Sequence, residues 1–165
     1  MASKKGIGIT IAILVGVVAA SFLVYLIPEN TDMKLVVSDF EKNLDDIDER
    51  TSMLSTGIEK SFEDLINHKL SPEEYFVTAG VTQSQVNSLI IELTLSGAPQ
   101  EWTASYKTYA DALKKLNEQI TETIIVANLM KDDVNSDSVN EIIFKIHELR
   151  AELLSLIEKS DNLRP

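Results

Sequence analysis

Residues 102–127 read WTASYKTYADALKKLNEQITETIIVA, and this stretch carries the clearest periodic pattern in the chain. Its apolar residues recur at alternating steps of three and four, the heptad spacing of a helix that packs along one face. Pro99 fits the first turn of such a helix, where a missing amide donor costs nothing. We therefore expect a long amphipathic helix. Its predicted buried positions are Trp102, Tyr106, Tyr109, Leu113, Leu116, Ile120, Ile124 and Ala127.

The chain after this helix predicts another one. Residues 131–137 form a polar turn, and Ser138 and Glu141 have the spacing of a capping box, in which serine and glutamate satisfy the first free amides of a helix. The apolar residues that follow keep a helical spacing. They are Val139, Ile142, Ile146, Leu149, Leu153 and Leu156.

The chain before Pro99 contains two further helix starts. Residues 71–74 read SPEE, which places a serine cap, a first-turn proline and a glutamate three residues after the cap. Gly80 interrupts the pattern, and Thr82 with Gln85 forms a second capping pair ahead of an apolar run that ends at Gly97. Residues 89–95 are apolar enough for a strand, but the capping pairs favour a helix.

The first helix of this group is predicted to begin at Met33 and to end within residues 67–70. Acidic residues crowd its other positions, which are expected to face solvent. Its apolar positions are Met33, Val36, Phe40, Leu44, Ile47, Leu54, Ile58, Phe62 and Leu65. Because short connections favour antiparallel neighbours, residues 33–165 are predicted to form an all-α, antiparallel (up-down) four-helix bundle.

Residues 6–27 read GIGITIAILVGVVAASFLVYLI and contain no charged side chain. As a helix this segment would be roughly 33 Å long, enough for a hydrocarbon core of about 30 Å. We therefore predict a transmembrane helix at 6–27, a cytoplasmic basic tail at 1–5 and a hinge at 28–32. Lys4 and Lys5 precede the helix and acidic residues follow it, which favours a single-pass signal-anchor in the cell membrane with the bundle extracytoplasmic. A cleaved secretory signal is the alternative, with the small-residue site Val18-Ala19-Ala20 and cleavage after Ala20.

The N-terminus also resembles the signal segment of archaeal type IV pilins and archaellins. The resemblance rests on Lys4-Lys5-Gly6 before Ile7 and the apolar helix that follows, and it covers about the first 27 residues. It implies cleavage after the glycine and assembly into a filament. The segment lacks the acidic residue often found early in such helices, and the helical remainder differs from the β-rich heads common in archaellins.

The predicted membrane helix has one face of small residues. Gly8, Ala12, Gly16 and Ala20 recur every four residues, so they stack on one side of a helix and would let another helix approach closely. The predicted partners are lipid together with other transmembrane subunits or a second copy of the chain. Tyr25, Trp102 and Tyr106 are candidate anchors at the membrane interface, although core packing is the alternative for Trp102 and Tyr106.

The charge balance excludes some partners. The chain has 26 acidic and 15 basic residues, so its net charge of −11 should repel nucleic acid and anionic headgroups. It contains no cysteine, which rules out disulfides and thiolate metal sites.

No arrangement of residues predicts catalysis, a cofactor or a bound metal. Asp133, Asn135 and Asp137 resemble the opening of a calcium loop, but Ser138 and Phe144 occupy the positions of the turn glycine and the bidentate glutamate. Two histidines, His68 and His147, are too few for a histidine-rich site, and the chain lacks a Gly-x-Ser-x-Gly elbow.

These patterns predict a non-enzymatic, membrane-anchored interaction or scaffold protein, an accessory subunit of a larger membrane complex. One alternative is an extracytoplasmic ligand-binding module, because the periplasmic domains of chemoreceptors resemble this plan of membrane helix and four-helix bundle. In that case the aromatic residues of the bundle would line an apolar pocket. The pilin-like filament subunit is the other alternative.

Overall fold

A computed structural model of the protein describes residues 37–131 and 136–165. The predicted membrane helix at 6–27 and the hinge at 28–32 lie outside this part of the chain. The described residues form four helices and no strand, which confirms the predicted all-α bundle class for them. The helices are α1 (Phe40–Ile66), α2 (Pro72–Leu95), α3 (Gln100–Lys131) and α4 (Ser136–Asp161). None of these four helices is long and apolar enough to cross a membrane.

Helix α1 begins at Phe40, which corrects the predicted start at Met33. Asp39 has extended backbone angles, and its carboxylate accepts a hydrogen bond from the amide of Lys42 at 3.0 Å. An aspartate cap of this kind satisfies a first-turn amide and fixes where the helix starts. The helix ends at Ile66 as expected, and His68 adopts a left-handed backbone with φ of 55° in the turn to α2.

Helix α2 begins with the predicted capping box. The amide of Glu74 donates to the hydroxyl of Ser71, and the Glu74 carboxylate accepts the amide of Ser71 at 3.1 Å. The predicted interruption at Gly80 is wrong, because α2 continues through it to Leu95. Thr82 is not a cap; its hydroxyl donates to the carbonyl of Thr78 one turn earlier, inside the helix.

Helix α3 is the centre of the bundle and contacts each of the other three helices. Its predicted seam is confirmed, since every seam residue is buried or half-buried. Further residues beside the seam are buried too, because α3 has neighbours on more than one side. They are Ser105, Ala110, Ala112, Gln119, Thr123 and Val126. The fourth helix starts at Ser136, two residues before the predicted cap at Ser138.

Side-chain contacts fix the direction of the helices. Along each pair of consecutive helices, residue numbers rise in one helix as they fall in its partner, so consecutive helices run antiparallel, as predicted. The contacting pairs are Asn43 with Glu92 and Phe62 with Tyr75 for α1 and α2, Tyr75 with Thr123 and Asn87 with Asn117 for α2 and α3, and Ser105 with Ser160 and Glu122 with Lys145 for α3 and α4.

Helices α1 and α4 close the bundle only loosely. Among the described residues, no Cα atom of α1 lies within 8 Å of a Cα atom of α4. Two ion pairs bridge the gap instead: Arg150 of α4 to Glu59 at 2.9 Å, and Arg164, which follows the end of α4, to Asp45 at 2.6 Å. A groove therefore runs between α1 and α4, with α3 beneath it.

Candidate functional site

The predicted packing face of Gly8, Ala12, Gly16 and Ala20 lies outside the described residues, as does Tyr25. These assignments stay predictions. Asp133 and Asn135 of the calcium-like turn lie outside as well. Within the part of the chain that the structure describes, no three His, Cys, Asp or Glu side chains are grouped so that they could hold a metal ion.

Trp102 and Tyr106 pack against the core at one end of the bundle. Tyr106 is 3% exposed; its hydroxyl donates to the carbonyl of Phe40 at 2.8 Å and lies 3.0 Å from Oδ1 of Asn43. Its ring makes edge-on contacts with Phe40 and Trp102, at centroid distances of 5.9 and 6.2 Å. Tyr106 is thus a core residue, and only the half-buried Trp102 keeps ring surface for an interface.

The other aromatic residues proposed for a pocket are also core residues. Tyr75 donates to Oγ1 of Thr123 at 2.6 Å, and Tyr109 donates to Oδ1 of Asp48 at 2.7 Å. Burial raises the pKa of Tyr75 to about 12. The rings of Tyr75 and Tyr109 therefore fill the interior of the bundle.

A surface that the sequence analysis did not identify lies on the side of α2 away from the core. Six exposed residues follow one another along α2 at steps of four and three, and we call this set the outer stripe of α2. Its apolar members are between 42% and 54% exposed, although large aliphatic side chains are usually buried. The outer stripe consists of Val77, Val81, Ser84, Ser88, Ile91 and Leu95.

The sequence of α2 around the outer stripe is almost free of charge. Between Glu74 and Glu101 the only charged residue is Glu92, in a chain of which a quarter is charged. Glu92 is itself engaged with α1: it accepts hydrogen bonds from Arg50 at 2.8 Å and Asn43 at 3.2 Å. The outer stripe is therefore an uncharged, partly apolar band on a strongly acidic protein.

The groove between α1 and α4 is the second candidate site. It holds two adjoining cavities of about 400 and 260 Å³, and the Arg150–Glu59 ion pair contributes to the lining of both. The larger cavity has mainly aliphatic walls, with His147 and Lys60 at its polar rim. Its apolar lining residues are Ile58, Phe62, Ile120, Ile143 and Ile146.

Gln119 lines the larger cavity from α3. The side chain is buried, with 4% of the residue exposed, and its amide oxygen has no hydrogen-bond partner among the described residues. A buried amide oxygen without a partner loses its hydration and gains nothing in return, which costs about 1–3 kcal/mol. Gln119 therefore offers an acceptor to a donor group that enters the cavity.

Comparison with protein-family models, with curated proteins and with solved structures finds no match to this chain.

Proposed function

We propose that the protein is a non-enzymatic, single-pass membrane protein whose helical bundle docks on other subunits of a membrane assembly. Residues 6–27 would anchor it, with the N-terminus in the cytoplasm and the bundle outside. The main support for this function is the outer stripe of α2.

The outer stripe has the chemistry of a docking surface. The buried centre of a protein interface is depleted of charged residues, and burial of apolar surface contributes about 25 cal/mol per Å². On this protein most exposed helix positions are charged or strongly polar, yet the outer stripe keeps four aliphatic side chains in solvent. Without a partner they lower solubility and add nothing to the bundle core, so a partner that covers them explains why they are there.

The membrane segment provides a second means of association. Its predicted face of small residues, centred on Ala12 and Gly16, would allow close helix packing within the bilayer. Replacement of Gly16 by Ile tests this face separately from the bundle.

Extraction of native membranes in mild detergent, followed by size separation and mass spectrometry, tests the function. We expect the wild-type chain to migrate with other membrane subunits, and a variant with Val81→Glu and Ile91→Glu to lose them. Phe144→Glu is the matched control, because Phe144 is an apolar residue of α4 that is 64% exposed, and among the described residues no Cα atom of α4 lies within 8 Å of α2. Thermal melting must show that all variants are folded. An unchanged set of partners in the double variant would contradict the docking role of α2.

A ligand-binding module is the second candidate, and Gln119 is the observation that favours it. The ligand would be a small molecule with an aliphatic or aromatic body, which fits the walls of the larger cavity, and with a donor group that meets the Gln119 amide oxygen. Such a ligand should raise the melting temperature of the wild type but not of Gln119→Leu, which keeps the size of the side chain and removes the acceptor. If apolar alcohols and amides that fit a cavity of about 400 Å³ leave the melting temperatures of the wild type and of Gln119→Leu unchanged, the ligand-binding function is excluded.

A further inference from the structure

We propose that the outer stripe of α2 binds the outer stripe of a second copy of this chain, so that two bundles associate through a symmetric pair of α2 helices. This inference names the partner of the surface on which the proposed function rests.

Spacing indicates that the partner of the outer stripe is a helix. The side of α2 that faces the core has its own heptad series, offset from the outer stripe by two residues, and two residues correspond to about 200° of helix rotation. Helix α2 therefore has two coiled-coil faces on opposite sides. The inner face is filled by the bundle, and the outer face is exposed. The inner series is Tyr75, Ala79, Thr82, Val86, Leu89 and Leu93.

Charge favours a second copy over a basic partner. A basic helix would be attracted by acidic residues beside its binding surface, but α2 itself has none between Glu74 and Glu92, and Glu92 is paired with Arg50. Two copies of a chain with a net charge of −11 repel each other over most of their surfaces. They can approach most closely where that charge is missing, along the outer stripe.

The order of residues in the outer stripe is symmetric about position 86. Val77 corresponds to Leu95, Val81 to Ile91, and Ser84 to Ser88. A two-fold interface needs one patch that is complementary to itself. In an antiparallel pair this order places aliphatic residues against aliphatic residues at both ends and the small serines together at the centre, where the helices cross most closely. A parallel pair would instead place each residue against its own copy.

Single cysteines can test this contact directly, because the chain has no cysteine of its own. We would prepare the full-length variants Ser84→Cys and Ser88→Cys in mild detergent and oxidise each one alone and the two mixed. Ser52→Cys on α1 is the control, since Ser52 is an exposed serine of another helix on the same chain. The control carries the same membrane segment, so any pairing within the bilayer affects it equally.

Thiols held in contact have an effective concentration in the millimolar range, so at about 10 µM protein the paired cysteines should form disulfides about a hundredfold faster than the control. Fast cross-linking only when the two variants are mixed supports an antiparallel pair. Fast cross-linking of each variant by itself supports a parallel pair. Val81→Glu with Ile91→Glu should bring either rate down to that of the control. Rates for Ser84→Cys and Ser88→Cys that equal the rate of Ser52→Cys, alone and mixed, would overturn the proposal.

The two proposals fail in different ways. If cross-linking matches the control while the double glutamate variant still loses other membrane subunits, α2 docks on a different protein and the second copy is excluded. If the cysteines cross-link rapidly and the wild type migrates only with itself, the pair stands and the accessory role is excluded.

Discussion

Three tyrosine hydroxyls lie inside the bundle, and each donates a hydrogen bond from one helix to another. Tyr75 of α2 reaches Thr123 of α3, while Tyr106 and Tyr109 of α3 reach α1. Each bond contributes only about 1 kcal/mol, but a buried hydroxyl left without a partner costs up to about 3 kcal/mol. These bonds therefore specify the register of the helices more than they add to stability.

Tyr109 should make the bundle sensitive to alkaline pH. Burial, and then the neighbouring Asp48 carboxylate, raise the pKa of its phenol above the ordinary value of 10. A raised pKa in the folded state gives stability that is complete below pH 10 and is lost as the pH rises further, because the unfolded chain releases its proton first. We expect the melting temperature to fall as the pH rises from 10 to 11.5, and to fall less steeply in Tyr109→Phe. Circular dichroism measures both; parallel pH profiles for the two proteins would contradict the assignment.

At the scale of a helix, replacement of the bundle's glycines by alanine should raise the free energy of unfolding at two positions and lower it at a third. Gly57 and Gly80 lie within α1 and α2, and a methyl group at either position would meet no atom within 4 Å. Alanine there should stabilise the domain by about 1 kcal/mol, because it reduces the backbone freedom of the unfolded chain. Gly97 has φ of 65°, and Gly97→Ala should destabilise by about 1–2 kcal/mol through strain.

Urea unfolding measures the free energy of unfolding of the three variants. The values can be compared when the slope of this free energy against urea concentration is the same in all of them. Loss of stability in Gly80→Ala, with a gain in Gly57→Ala, would show that α2 needs a glycine at position 80 for a reason other than backbone freedom.

The sequence predicts best those features that depend on local spacing and local hydrogen bonds. The seam of α3 and the capping box at Ser71 are such cases, because both are determined without reference to the rest of the fold. The apolar pattern predicts too early a start for α1, because Met33 and Val36 continue the apolar period. Periodicity cannot reveal that Asp39, one of many acidic residues, acts as the cap.

Both candidate surfaces depend on information that periodicity lacks. Helix α2 is apolar on two opposite sides, so its pattern does not say which side is buried; the clue in the sequence was the nearly charge-free run from Tyr75 to Gln100. The groove exists because α1 and α4 are held apart, and the significance of Gln119 follows from its place beneath that groove. No local pattern encodes the distance between two helices.

At the scale of the whole molecule, the four helices differ in how many neighbours hold them. Helix α4 packs on α3 but has no Cα atom within 8 Å of α1 or α2 among the described residues. Helix α1 packs on α2 and α3, and only α3 contacts all three other helices. Any opening of the groove can therefore release α1 or α4 while α3 stays covered.

This arrangement sets the order in which backbone amides should exchange with deuterium in the native protein. An amide in α1 or α4 can exchange when one helix detaches, whereas an amide near Leu113 or Leu116 becomes accessible only when the whole bundle comes apart. We expect the central turns of α3 to exchange last, with a protection that matches the free energy of global unfolding, and mass spectrometry of the labelled peptides measures it. Amides of α4 that exchange more slowly than those of α3 would contradict this order. Exchange of the α3 amides thus reports global unfolding of the domain, while exchange in the helices that border the groove reports local opening of the groove.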